Sequence, residues 1–210
     1  MRTGSHEALT RGAESLRAGE SGLLGLDWHN GNRTVLVDQR LSGLLVGMTL
    51  HTTPAQIYRA LIESTAFGAR VIMERFEEYG LKVGRVLACG GIAQKNPLVM
   101  QIHADIMGRE IRIVPGSQSC ALGAAMAGAV AAGLYDGFAQ AVENMAGRIE
   151  KSYSPDAAGT RTYDRLFRLY GRLHDVYGRK DCSDGLHDVM KELLDISETV
   201  KKDRQPDDTG

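Results

Sequence analysis

The segment Val86–Pro97, VLACGGIAQKNP, constrains the fold of this chain more than any other stretch. An apolar run ends in two glycines and restarts as a helix, so it reads as strand, tight turn, helix. Paired glycines lack Cβ atoms, which lets the backbone take positive φ and lets a flat ligand lie directly against the main chain. Asn96 followed by Pro97 reads as a helix N-cap and first helical position, aiming unpaired N–H groups and a positive dipole end at the same place. Taken alone, the pattern fits a nucleotide-binding turn and equally a tight connection in an αβ protein.

The flanking sequence extends this unit. Leu98, Ile102 and Ile106 mark the buried face of a helix over 97–107, Gly108 ends it, and 111–114 is the next strand, closed by Pro115 and Gly116. Strand, helix and strand in this order predict a parallel, right-handed βαβ unit. Upstream, Leu44–Thr49 reads as a strand, and Thr53-Pro54 opens the longest helix, with Ile57, Leu61, Thr65, Gly68, Ile72 and Phe76 near one stripe and Gly80 ending it. Gly68 in mid-helix costs about 1 kcal/mol relative to alanine, so a neighbour is expected to approach closely there.

The remaining segments are simpler. His6–Leu16 predicts a short helix ended by Gly19, and Phe138–Met145 predicts another. Ser119–Ala132 is a helix made almost wholly of small residues, which suits tight packing onto a sheet. Asp27–Thr34 is a polar loop of turn formers around the only tryptophan, either functional or a surface turn. From Tyr163 onward, Leu166, Leu169, Tyr170, Leu173 and Tyr177, then 186–196, form an amphipathic helical appendage that would serve its own domain or a homodimer contact. Residues 197–210 lack apolar periodicity and are expected to be disordered.

Composition excludes several classes of function. A formal net charge of -1 and 6% aromatic residues supply neither the basic footprint nor the stacking platform of a nucleic-acid partner. Cys89, Cys120 and Cys182 are an odd set without paired spacing, which favours reduced thiols, and His29, His51 and His103 lack metal-ligand spacing. The first twenty residues have no apolar leader core, and no run of about eighteen apolar residues occurs, so a soluble, cytoplasmic chain without a membrane partner is expected. The glycine turn is neither G-x-G-x-x-G nor G-x-x-x-x-G-K-[ST], so the phosphate cradles of dehydrogenases and P-loop enzymes are missing.

Three segments together carry a specific resemblance: Leu26–Thr34; Gly43–Met48 with Gln56–Glu63; and Cys89–Asp105 followed by Cys120–Ala125. In these the chain resembles the C-terminal portion of the FGGY family of carbohydrate kinases, over residues 6–195. The resemblance implies an α/β, actin-like, ribonuclease-H-like ATPase fold, with MgATP held between two domains. It implies a nucleotide-binding domain over 1–150 that lacks its first strands, the helical appendage over 151–196, and the tail over 197–210. The missing strands would lie between Leu44–Thr49 and Val86–Ala88.

The implied reaction is ATP-dependent phosphoryl transfer to a ketopentose, namely ribulose in arabinose catabolism. A xylulose-type kinase and a noncatalytic nucleotide-binding remnant are the alternatives. The resemblance places the backbone of Gly90 and Gly91 against adenosine, with Ala93 beside them. Asn96 would reach the adenine, cap its helix, or do both. Asp27, Asn30, Asn32 and Arg33 are placed near the interdomain cleft, where Arg33 would hold phosphate or sugar or pair with Asp27 or Asp38. The catalytic base is expected on an N-terminal kinase domain absent from this sequence, so the isolated chain is expected to be inactive. ATP, ADP and the ketopentose are the implied ligands, with Mg2+ carried by the nucleotide rather than by a protein cage.

Overall fold

The structure is a computed structural model that describes residues 4–116, 118–149 and 151–203. Helix α1 (Gly4–Glu14) leads through a buried stretch into β1 (Leu24–Leu26), which pairs antiparallel with β2 (Leu44–Val46). The second strand is shorter than the expected 44–49 because Gly47 takes φ 94 and turns the chain away. A Cβ at Gly47 would strike the Gly22 carbonyl oxygen, so only glycine fits that crossing.

Helix α2 (Pro54–Glu78) starts on a full capping box: Thr53 Oγ1 accepts from the Gln56 N–H, and Gln56 Oε1 accepts from the Thr53 N–H. Its buried face differs from the expected stripe. Ala60, Ile62, Ala66, Phe67 and Met73 point inward, while Leu61, Thr65 and Phe76 are exposed. The inward face also carries Arg59 and Glu63, two charges that a sequence pattern assigns to solvent. They are buried because they satisfy each other: Arg59 Nε donates to Glu63 Oε1 at 2.8 Å, and the Tyr163 hydroxyl accepts from Arg59 and donates to Glu63.

The expected βαβ unit follows. β3 (Val86–Ala88) leads through the glycine turn into a separate short helix, α3 (Gly91–Lys95), then α4 (Pro97–Met107) and β4 (Ile111–Ile113), which lies parallel to β3. Helix α5 (Ser119–Ala131) packs with α6 (Phe138–Met145), and β5 (Lys151–Tyr153) closes the sheet antiparallel to β4, giving the order β3-β4-β5. Among the described residues no strand joins this sheet to the β1–β2 pair.

Two readings are corrected here. Helix α5 does not pack tightly on a sheet: Met126 is its only buried residue, and the positions where Gly123 and Gly128 would carry a Cβ meet nothing within 4 Å. Small side chains permit close approach, but approach needs a partner surface, and none lies over this face among the described residues. The C-terminal segment also stays ordered for longer than expected. Helix α8 (Val189–Lys202) continues past residue 196, with Lys201 and Lys202 at its negative dipole end. Positions 204–210 of the expected disordered tail lie outside the described residues.

Helix α7 (Ala157–Gly178), capped by Asp156 Oδ2 accepting from the Gly159 N–H, supplies much of the main core. Its Tyr163, Leu166, Leu169, Tyr170 and Leu173 join Leu24, Leu26, Trp28, Phe67 and α8's Leu193 in one cluster. The apolar stripe therefore serves this chain's own core. A smaller cluster of Ala93, Met100, Ala104, Ile111 and Ile113 seats α3 and α4 on the three-stranded sheet. Helix α4 faces both, with Ile102 and Ile106 in the first cluster. Among the described residues no helix is long and apolar enough to cross a membrane.

Candidate functional site

Strand β3 delivers the chain to Gly90, whose φ of 92 disfavours any side chain. At both Gly90 and Gly91 the direction of a Cβ is open, with nothing within 4 Å. Gln94 Nε2 donates to the Val114 carbonyl at 2.6 Å, fixing α3 to the end of β4. Asn96 is extended, and its Oδ1 accepts from the Val99 N–H at 3.2 Å, which caps α4. That leaves the amide Nδ2 without a partner among the described residues, so capping and ligand contact are compatible.

This turn forms one wall of a cleft of about 1010 Å³. Gly91, Ile92, Lys95 and Asn96 face Tyr58, Leu61 and Thr65 of α2 and His6, Thr10 and Arg11 of α1. Apolar walls with an amide and an ammonium at the edge suit a flat heterocycle joined to an anionic tail. The structure brings Gly91 and Asn96 into the cleft, with Gly90 at the turn before it. Ala93 is elsewhere: at 3% exposure its methyl group packs in the smaller core. Lys95 lies within the motif and was open to sequence reasoning, whereas the α1 and α2 wall comes from the packing of distant helices.

A second cleft, of about 450 Å³, adjoins the first at Thr65, which lines both. Asp27, Asn30, Asn32 and Arg33 all line it, together with Trp28 and with Tyr170 and His174 from α7. The Asp27 carboxylate is seated against Gly68 and accepts from the Tyr170 hydroxyl at 3.3 Å. Burial pushes the Asp27 carboxyl above its usual range, while backbone and Tyr170 hydrogen bonds pull it back. Asn32 shapes the loop: its Oδ1 accepts from the Val35 and Leu36 N–H groups, and its backbone pairs in both directions with Asp38. Arg33 and Asn30 are exposed, and Arg33 forms an ion pair with neither Asp27 nor Asp38. Tyr170 and His174 were not legible as site residues, because they lie more than a hundred positions from the loop.

The close approach expected at Gly68 is therefore the Asp27 side chain, with Oδ2 2.5 Å from where a Cβ would stand. Gly68→Ala should destabilise the protein by about 1–3 kcal/mol, through overpacking and displacement of Asp27. Chemical denaturation measures this, and an unchanged midpoint would show that the loop yields without cost.

The model of the FGGY family of carbohydrate kinases, C-terminal domain, matches residues 4–132. A ribulokinase of Geobacillus thermodenitrificans is 46% identical over 93% of this chain, and one of Anoxybacillus flavithermus is 48% identical over the same share. The chain spans 35% of the length of each. Among solved structures, xylulose kinase from Rhodospirillum rubrum superposes with TM-score 0.71 at 27% identity, over 89% of this chain and 35% of that one. Gluconate kinase from Lactobacillus acidophilus gives TM-score 0.73 at 25% identity, over 83% of this chain and 35% of that one.

Proposed function

Because this chain belongs to the FGGY family of carbohydrate kinases, we propose that it is the ATP-binding C-terminal part of a kinase that phosphorylates ribulose. The cleft between the glycine turn and α2 is the observation that carries the reading, since it joins an open backbone approach to an uncommitted amide at Asn96. In this reading the base lies against Gly91 between Ile92 and the α2 wall, with Asn96 Nδ2 donating to a ring nitrogen. Lys95 stands at the cleft edge, where an ammonium attracts the phosphate tail.

Ribulose is preferred over xylulose as acceptor because the ribulokinases are 46–48% identical to this chain, against 27% for the xylulose kinase of R. rubrum. Phosphoryl transfer requires the γ-phosphate, the sugar hydroxyl and a base to be positioned together. We assign that base, and most of the sugar contacts, to an N-terminal kinase domain. A divalent cation, Mg2+ in this proposal, would neutralise phosphate charge and arrive with the nucleotide. Among the described residues no group of three or more His, Cys, Asp or Glu could hold a metal ion.

Isothermal titration of the purified chain with ADP and ATP tests the nucleotide reading: saturable binding is expected, and its absence at millimolar nucleotide in a folded sample overturns it. A coupled kinase assay with ribulose tests the division of labour. No turnover is expected from this chain alone, and turnover would overturn the assignment of the base to another domain.

A further inference from the structure

The ends of β3 and β4 away from the glycine turn gather positive charge. Because the two strands run parallel, the chain enters both at the same end, through Gly84-Arg85 before β3 and Gly108-Arg109-Glu110 before β4. These residues, with Arg112, line a cavity of about 210 Å³. Three guanidiniums therefore surround one small space, with Glu110 the single carboxylate in the lining. Hydrogen bonds from Arg112 and Ser152 hold the Glu110 carboxyl below its usual range, so it is charged and already has partners. Most of the arginine donors are uncommitted. Arg112 uses Nε on Glu110 Oε2 at 2.8 Å, and Arg109 uses one terminal nitrogen on Glu77. Arg85 is exposed and forms no ion pair among the described residues. Gly84 adds no side chain, and nothing stands within 4 Å of where its Cβ would be, which leaves that side open.

The donor set selects the ligand. A guanidinium offers N–H donors and no acceptor, so a ligand here must bring the acceptors. A cation is repelled by three like charges, and a neutral compound gains none of their attraction. A carboxylate has two oxygens for three guanidiniums, whereas a phosphate group presents oxygens in several directions and forms charge-assisted hydrogen bonds to arginine. The volume admits a phosphate group with a short carbon chain, and it falls below the range of about 300–1,000 Å³ usual for larger organic ligands. We propose that this cavity is a binding site for a small phosphate-bearing anion, free phosphate or a phosphomonoester, at the end of the sheet opposite the glycine turn. Bound there, the anion ties the loop before β3 to the turn after α4 and stabilises the sheet from its far end. The inference rests on this cluster alone and goes beyond the kinase reading.

Calorimetry with inorganic phosphate, in a chloride buffer of fixed ionic strength, is expected to show saturable binding, with acetate giving far less. Glycerol phosphate in a parallel titration separates the two sources: tighter binding than phosphate assigns the site to a phosphomonoester, and weaker binding assigns it to the free ion. Arg85→Gln, at an exposed position, should weaken phosphate about tenfold, the effect of losing one charge-assisted contact, with circular dichroism unchanged. Arg112→Gln should weaken it in the same way, while Arg168→Gln, an exposed position on α7 outside the cavity, should leave it unaltered. Phosphate should also raise the melting temperature of the parent chain more than that of Arg85→Gln. The proposal is overturned if phosphate gives no saturable signal above the chloride control, if Arg85→Gln and Arg112→Gln both bind as the parent does, or if Arg168→Gln loses binding equally. It is overturned as well if ADP displaces phosphate, which would put the anion in the nucleotide cleft. Calorimetry with ADP on the same sample reports the nucleotide reading independently.

Discussion

Glu63→Ala is expected to cost the fold about 3–5 kcal/mol, enough to unfold a marginally stable domain. Glu63 and Arg59 lie one helical turn apart on α2, with side chains 3% and 7% exposed and 2.8 Å between Oε1 and Nε. Arg59 also donates to the Ala13 carbonyl at 2.9 Å and the Leu16 carbonyl at 2.7 Å, and so ties α1 and the turn after it to α2. Tyr163 joins α7 to the pair, its hydroxyl 2.7 Å from Glu63 Oε1 and 2.9 Å from Arg59. Burial pushes the Glu63 carboxyl up, and the guanidinium and phenol pull against that. Alanine at 63 would strand a desolvated guanidinium and leave a hole beside it.

A double-mutant cycle in urea measures the coupling. Arg59→Met with Glu63→Leu should lose much less than the two single changes added together, because no charge is then left buried alone. If Glu63→Ala shifts stability by less than about 1 kcal/mol, the three helices are not held by this network.

The second large effect is on binding. Gly91→Val should weaken ADP about ten- to a hundredfold while leaving thermal stability near that of the parent chain. Its Cβ direction is open, its φ lies outside the left-handed region, and it is the first residue of α3, so the fold tolerates a side chain. The added isopropyl group instead occupies space where the base would lie against the backbone. Gly90→Val differs, because φ 92 strains any β-branched residue and the fold itself would lose about 1–3 kcal/mol. Calorimetry with ADP alongside a thermal melt separates the two. Unaltered affinity in Gly91→Val would remove the glycine turn from the nucleotide site.

Elements governed by local rules were legible. The helix start at Thr53-Pro54, the Asn96 cap, the glycine-ended helices and the parallel βαβ unit each depend on residues within a few positions of one another. Elements governed by distant partners were not. The inward face of α2 was misplaced because Arg59 and Glu63 read as solvent charges until Tyr163, a hundred residues later, is brought against them. At Gly68 a close neighbour was expected and found, but nothing in the helix names Asp27 as that neighbour. Ala93 shares the site motif, yet helical geometry turns its methyl into the core.

The order of helices and strands, their caps and turns, and membership of a kinase family were determined by this sequence itself, since backbone preference and short motifs act over single turns. Which faces became core, and which loop met His174 and Tyr170 to make a second polar cleft, only the tertiary structure decided. Burial depends on the surface brought opposite, and a charge or an indole N–H is costly or satisfied according to partners that no local pattern encodes.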